Sequence, residues 1–382
     1  MKTYRIVMTF LVGFFLVING LCEDSLKRGF LAKEVVISEA DTFLEGIHKA
    51  KGFLYIGSYK LHDHLLPNPN ITLALKKAGE KDELKNKILV ILENHLTPVE
   101  QKEGNADIHA GDSLKTYKSL GIDLIKSSSQ FTATHYKILI NQDYAFVGTT
   151  NFDKNFEEEN EDGSITLTRD FSIILTAPNL IEELKHVVDK DRLENKSDMP
   201  LFDIEDISEG TSRLSWGPEH HCHHFQQLIK KAKTSIQIYQ QDLQDQEIRD
   251  LLVEAVKRGV KVSILMSEFP FGSKNGNKSE ESQRIIASTQ SKDGLALGKI
   301  RLTGQLLNDG ELKNKRLHIH AKAMIIDGKI MYLGSANFYT KALHKDRNVG
   351  IITRNFEYIK PVQMQFEMDW SAHKDFIVAS KF

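Results

Sequence analysis

Two short stretches of this chain set a histidine two residues ahead of a lysine and follow the pair with a glycine, a hydroxyl residue and an asparagine. His135-Tyr136-Lys137 leads to Gly148-Thr149-Thr150-Asn151, and His320-Ala321-Lys322 leads to Gly334-Ser335-Ala336-Asn337. An imidazole moves a proton or attacks as a nucleophile near neutral pH. An ammonium neutralises an anion, and a primary amide donates hydrogen bonds. Together these groups suit the cleavage of an anionic ester. A single His-x-Lys is a weak signal, since about one is expected by chance in a chain this rich in both residues. Here there are two, at 135 and 320, and both have the same sequel.

On a strand, residues two apart project from one face, so each His-Lys pair should point the same way. A polar turn follows, Asn141-Gln142-Asp143 in the first copy and Asp327-Gly328 in the second. The chain then returns to its Gly-Ser/Thr-x-Asn loop, and a hairpin brings proton carrier, cation and amide together. The copies differ in length: His135 lies 13 residues before Gly148, and His320 lies 14 before Gly334.

These residues resemble the phospholipase D superfamily, whose hallmark is His-x-Lys-x4-Asp followed by Gly-Ser-x-Asn, present twice. The second copy matches fully, at His320, Lys322, Asp327, Gly334, Ser335 and Asn337, and the first has Gln142 at the aspartate's position. There Asn141 or Asp143 is expected to stand in for the aspartate, which supports the fold of the site. The resemblance runs over about residues 30 to 375, including the Ala-Lys before each opening strand and Asp369-Trp370 near the end. It implies a phosphodiesterase working through a phosphohistidine, with His135 as nucleophile and His320 as acid. Lys137, Lys322, Asn151 and Asn337 would hold the phosphate, with Thr149 and Ser335 in support. Downstream, Thr168-Arg169-Asp170-Phe171 and Asp346-Arg347-Asn348-Val349 match the family's orienting carboxylate. Asp170 is expected on His135 and the uncharged Asn348 on His320. No metal or cofactor is implied, because the lysines supply the positive charge.

The elements that must position these groups repeat as well. In the first half, a helix over Leu44 to Ala50 leads into a strand at Gly52 to Gly57, a helix ending at Lys77-Ala78 and a strand at Ile88 to Leu92. The second half repeats this with Phe225 to Ala232, Ser235 to Tyr239, Ile248 to Arg258 and Val260 to Met266. Alternating strands and helices predict an α/β fold of two pseudo-symmetric lobes, each a mixed sheet flanked by helices, with the site at their interface. The acidic, weakly periodic stretch Asp189 to Gly210 reads as the linker. The lobes are then 23–199 and 200–382. Phe271 to Glu281 reads as an exposed loop, a lid over the site or a plain surface insertion.

Residues 1–22 differ from the rest. Lys2 and Arg5 precede an apolar run from Ile6 to Ile18, and Cys22 is followed by Glu23-Asp24. That order matches a secretory signal peptide, or an uncleaved anchor, and predicts a secreted or periplasmic protein of a bacterial envelope. Its loss leaves 48 basic against 52 acidic residues, a balance of −4 that gives no sign of a nucleic-acid tail. Only Cys22 and Cys222 occur, so a mature chain has no internal disulfide.

Other histidines read blandly. His220-His221-Cys222-His223-His224 resembles a metal tract, but its members are too close in sequence to converge, and it reads as a polar helix terminus. His318 lines the cleft or packs on a strand face. His62 and His64 read as loop, His344 and His373 as surface. The expected substrate is the head-group phosphodiester of a phospholipid at a membrane surface, met by a monomer with a two-lobed site. A nuclease of the same fold is the alternative, and an inactive binding protein a third reading. A cardiolipin-synthase role ranks behind these, since the family's usual pair of membrane spans is not seen.

Overall fold

Apolar residues that alternate along a strand bury both faces only when each face meets a different partner. The hairpin strands of this protein do so. The computed structural model describes residues 35–36, 40–59, 71–93, 119–151, 157–160, 162–195, 198–268, 279–307 and 313–375. Residues 1–22, read above as a signal peptide, and His62, His64 and most of 271–281 lie outside them.

The first half runs β1 (Val35–Val36), α1 (Ala40–Lys49), β2 (Leu54–Ser58), α2 (Ile71–Gly79), β3 (Ile88–Leu92) and β4 (Ile122–Lys126). It continues with β5 (Ile138–Asn141), β6 (Ala145–Gly148), β7 (Glu157–Glu159), β8 (Ile165–Arg169), β9 (Ser172–Leu175) and α3 (Pro178–Arg192). The second half runs β10 (Ser212–Gly217), α4 (His221–Lys231), β11 (Ser235–Tyr239), α5 (Gln246–Lys257), β12 (Lys261–Ser267), α6 (Glu280–Ser288) and β13 (Gly298–Thr303). It closes with β14 (Lys315–Ile319), β15 (Ala323–Ile326), β16 (Ile330–Gly334), α7 (Thr340–His344), β17 (Asn348–Thr353) and α8 (Phe356–Ala372).

Each half builds a seven-stranded sheet, in the orders β1-β9-β6-β5-β2-β3-β4 and β10-β17-β16-β15-β11-β12-β13. Position for position, the two orders are the same. In both, the strands joined by helical crossovers pair in parallel, and those joined by hairpins pair antiparallel. The fold is α/β, with two seven-stranded sheets flanked by helices and a three-stranded sheet, β14-β8-β7.

Alternation explains the layers. Ile138 and Ile140 of β5, with Ala323 and Ile325 of β15, face a core shared by both halves. Their neighbours Leu139, and Met324 with Ile326, face separate outer cores under each half's own helices. Leu184, Val187 and Val188 of α3, and Ile359, Val362 and Phe366 of α8, fill the shared core between the sheets. The flanking helices follow ordinary rules. In α5, Asp245 caps the amide of Ile248 at 3.1 Å, and Ile248, Leu252, Ala255 and Val256 are buried on one face. Gly259 stops that helix at φ +96°, a backbone conformation that side chains resist.

Two features cross between the halves. β14 of the second pairs in parallel with β8 of the first, from Lys315 opposite Ile165 to Ile319 opposite Arg169. Thr134 bridges to Arg347 in the same sense on the other side. The stretch expected as linker is shorter than its composition suggests. Asp189 still belongs to α3, while Phe202, Ile204 and Ile207 pack into the second half's outer core. Among the described residues no helix is long and apolar enough to cross a membrane.

Candidate active site

The His-x-Lys triplets do not lie within strands, as their spacing had suggested. Each lies in the extended segment that leads into β5 or β15. Side chains still alternate there. Tyr136 and Ala321 are buried in the shared core, so histidine and lysine project to the opposite side. Lys137 Nζ donates to the His135 carbonyl at 2.6 Å, and Lys322 Nζ donates to the His320 carbonyl. Both lysines are fully buried. A buried ammonium is costly unless anionic or polar groups surround it, so its place here points to an anion-handling pocket.

The returning strands bring the Gly-Ser/Thr-x-Asn loops alongside. Gly148 N donates to Lys137 O, and Gly334 N to Lys322 O, both at 3.1 Å. A Cβ on Gly334 would run into the backbone of Gly350, so this position needs glycine. Asn151 and Asn337 follow. The Oδ1 atom of each is buried without a protein hydrogen-bond partner. An amide oxygen left so is an acceptor open to a ligand's hydroxyl or protonated group.

Beyond the loops, the wiring departs from the expected pattern. Thr149 Oγ1 donates to Asp170 at 2.5 Å, within the first half. Asp170 then reaches the other half and accepts from Nδ1 of His320, at 2.8 and 3.0 Å. In mirror fashion, Ser335 Oγ donates to Asn348 at 2.9 Å. Nδ1 of His135 meets the Ser335 carbonyl at 2.9 Å and Asn348 Oδ1 at 3.3 Å. Asp170 therefore orients His320, not His135, and Asn348 orients His135, not His320. The cause is the crossed pairing. The segment before each histidine lies beside the other half's orienting strand, and His135 N donates to Arg347 O at 2.7 Å while His320 N donates to Arg169 O at 3.1 Å.

An aspartate in place of Asn348 would fit poorly. The Asn348 amide nitrogen donates to the carbonyls of Ala342 and Asp346, at 3.0 and 3.3 Å. A carboxylate would set an acceptor against both.

Charge and burial oppose each other here. His135 is held well below the usual imidazole range, first by burial and then by Lys137, Lys322 and His320. The last of these influences shows that the two rings share one electrostatic neighbourhood. Burial pushes His320 down to about 3, with Lys322 and Lys137 adding to it and the Asp170 carboxylate pulling upward. Burial would raise Asp170, but His320, Lys322 and the Thr149 hydroxyl outweigh it and hold the carboxyl below its ordinary value. With Nδ1 of both rings anchored, Nε2 is the nitrogen left for chemistry.

The supporting aspartate does what the motif implies. Asp327 accepts from the backbone amides of Lys233, Thr234 and Ser235, between 2.7 and 3.3 Å, and so ties the hairpin turn to the start of β11. In the first half this work falls to Gln142 itself, not to Asn141 or Asp143. Its Oε1 accepts from Lys51 N at 3.0 Å and Gly52 N at 3.2 Å, the same place before β2. Asn141 instead folds its own turn, accepting from Asp143 N and Tyr144 N.

Several groups around the site were not legible from motif spacing. The Tyr59 ring lies edge-on to His135 at 5.1 Å, with Lys137 Nζ 5.5 Å from its centre. Glu93 accepts from the amide of Thr134, next to His135. Asp346 is buried and pushed up to about 6, by burial above all and by Glu93, with Lys341 and Lys137 pulling the other way. The remaining histidines lie elsewhere. His220, His221 and His224 each bond a backbone carbonyl, of Met199, Ser215 and Phe202, and stitch α4 to its surroundings. Among the described residues no three metal-binding side chains converge. His318 meets Ser267 Oγ at 3.2 Å on β14. His344 is exposed, as expected, but His373 is buried and bonded to Asp369 O at 2.7 Å.

Residues 225–370 match the family model described as cardiolipin synthase, PLD-like domain. The matched stretch includes the second His-Lys-Asn set and Asn348. Over 104 residues the chain is 24% identical to phospholipase D zeta 2 of Arabidopsis thaliana, covering 27% of this chain but only 10% of that protein. Among solved structures, phosphatidylserine synthase of Haemophilus influenzae superposes with a TM-score of 0.63 at 13% identity, over 91% of this chain and 88% of that one. Polyphosphate kinase of Porphyromonas gingivalis gives 0.57 at 12% identity, over 87% of this chain and 46% of that one. The family match and the two-lobed fold support the phospholipase D superfamily.

Proposed function

We propose that this protein cleaves the head-group phosphodiester of phospholipids, passing the phosphoryl group through a phosphohistidine to water or an alcohol. The observation that carries the reading is the crossed pair of histidines. Each is anchored at Nδ1 by the opposite half, beside two buried lysines. A phosphodiester resists attack because it is anionic. Lys137 and Lys322 would neutralise its non-bridging oxygens, and the amide N–H groups of Asn151 and Asn337 would donate to them.

The two rings are not equivalent. Nδ1 of His135 faces neutral acceptors, so this ring stays uncharged and keeps a lone pair on Nε2. Nδ1 of His320 faces a carboxylate; burial keeps this ring neutral in the empty site, and the bound phosphodiester anion would add to Asp170 in drawing a proton onto its Nε2. His135 Nε2 therefore attacks phosphorus while His320 passes its Nε2 proton to the departing oxygen as the P–O bond breaks. Water or an alcohol then attacks the phosphohistidine, gives its proton to His320 and releases His135 as the P–N bond breaks. The roles match those implied by the motifs, but for the opposite reason. The carboxylate serves the acid, not the nucleophile.

Phospholipid is favoured over nucleic acid because the matched family model and the phosphatidylserine synthase likeness are both named for lipid chemistry. The N-terminal segment, read as a secretory signal, would deliver the enzyme to an envelope membrane. The test is turnover by the purified chain of phospholipid vesicles, single-stranded DNA and a nitrophenyl phosphodiester. Vesicle turnover that His135→Ala and His320→Ala each reduce by about 10²-fold or more is expected. Cleavage of DNA alone would make it a nuclease, and turnover of none of the three a binding protein.

A further inference from the structure

The residue before each orienting side chain is an arginine, and both arginines are buried. Arg169 Nε and Nη2 form a fork on Asp369 of α8, at 2.7 and 2.9 Å. Arg347 Nε and Nη2 form the same fork on Asp191 of α3, both at 2.8 Å. The partners are in the opposite half each time. Further bonds hold the acceptors. Tyr239 donates to Asp369 at 2.6 Å and Gln365 at 2.9 Å. Arg347 also reaches Glu219 at 2.9 Å and the Gly217 carbonyl at 3.2 Å.

The main chain of the same arginines grips the histidines. Arg169 O accepts from the amides of His320 and Ala321, and Arg347 O accepts from that of His135. A two-residue unit thus holds each histidine twice, by the arginine's carbonyl and by the next residue's side chain. The guanidinium fork fixes that unit to the last helix of the half that owns the histidine. Burying a charged fork is expensive, and a docking contact alone could be apolar. A fork constrains direction as well as distance, and a lysine cannot reproduce it.

We infer that Arg169 and Arg347 are positioning residues, each locking its own half's orienting side chain onto the histidine of the other half. Arg169 governs His320, and Arg347 governs His135. The inference rests on the phosphodiesterase reading, and it adds that the two halves are cross-wired one to one.

The experiment compares Arg169→Lys and Arg347→Lys in the full chain by thermal melting, by kcat and KM against pH on the nitrophenyl phosphodiester, and by NMR titration of the labelled imidazoles. Arg169→Lys should lower kcat by about 10- to 100-fold with KM within about twofold, because a small misplacement of an acid is costly. It should shift the His320 titration and leave that of His135 in place, and Arg347→Lys should do the reverse. A melting-temperature loss with both imidazole titrations unmoved would overturn the inference, as would both variants shifting the same histidine. If Arg169→Lys does not fold, Asp369→Asn loosens the same fork from its other end, and an unmoved His320 there overturns it equally. If the wild-type chain turns over no phosphodiester, the enzymatic reading fails, while the NMR arm still decides the wiring.

Discussion

At the scale of single residues, what sits at Nδ1 distinguishes the two imidazoles. His320 has the Asp170 carboxylate, and His135 has the Ser335 carbonyl and the Asn348 amide oxygen. In the proposed mechanism the ring held by neutral acceptors resists protonation and attacks, and the ring beside the carboxylate takes up a proton once the anionic substrate is bound and delivers it. Asn348→Asp tests this directly. The new carboxylate favours the imidazolium of His135, which raises that ring above its present depressed value. Since His135 must be neutral to attack, the acidic limb of kcat/KM should move to higher pH, with the rate recovering once the ring loses its proton. A pH–rate profile with an unmoved acidic limb would contradict the assignment. Aspartate also confronts the carbonyls of Ala342 and Asp346, so the variant should be less stable by about 1–3 kcal/mol.

At the scale of elements, the hairpins are pinned by their turns. Asp327 takes three backbone amides at the start of β11, and Gln142 takes two at the start of β2. Burial would raise the Asp327 carboxyl, but the amides of Ser235, Thr234 and Lys233 outweigh it and hold it below the ordinary range. Asp327→Ala leaves those amides short of a partner and should cost about 2 kcal/mol in denaturant unfolding, against about 1 kcal/mol for Gln142→Ala. Equal costs would show that the charge adds nothing. The elements themselves were largely legible in the sequence, because their periods are plain: β3 and β11 lie where apolar runs and alternation put them. Two things were not. The triplet His-x-Lys has strand spacing yet lies outside the strand, since its backbone bonds go to the opposite half. Gln142 holds the aspartate's position without its charge, and only the amides it meets reveal its work.

At the scale of the whole molecule, two similar halves make one site by exchanging their orienting groups. The repeat was visible, and with it His135, Lys137, Asn151, His320, Lys322 and Asn337. Which half serves which histidine was not, because sequence order gives no sign that β8 pairs with β14, or that Thr134 bridges to Arg347. The repeated arginine offered a signal: Arg169 precedes Asp170 as Arg347 precedes Asn348, and a charged residue repeated beside an orienting group points to a buried fork. In the proposed mechanism His135 attacks while His320 shuttles the proton. A nitrophenyl phosphodiester needs little acid help to lose its leaving group, so His320→Ala should complete the first step and stall before the second. Peptide mass mapping of that variant after reaction should find the phosphoryl group on His135. Finding it on His320 in the His135→Ala variant, or finding steady turnover by His320→Ala with no labelled histidine, would contradict the account.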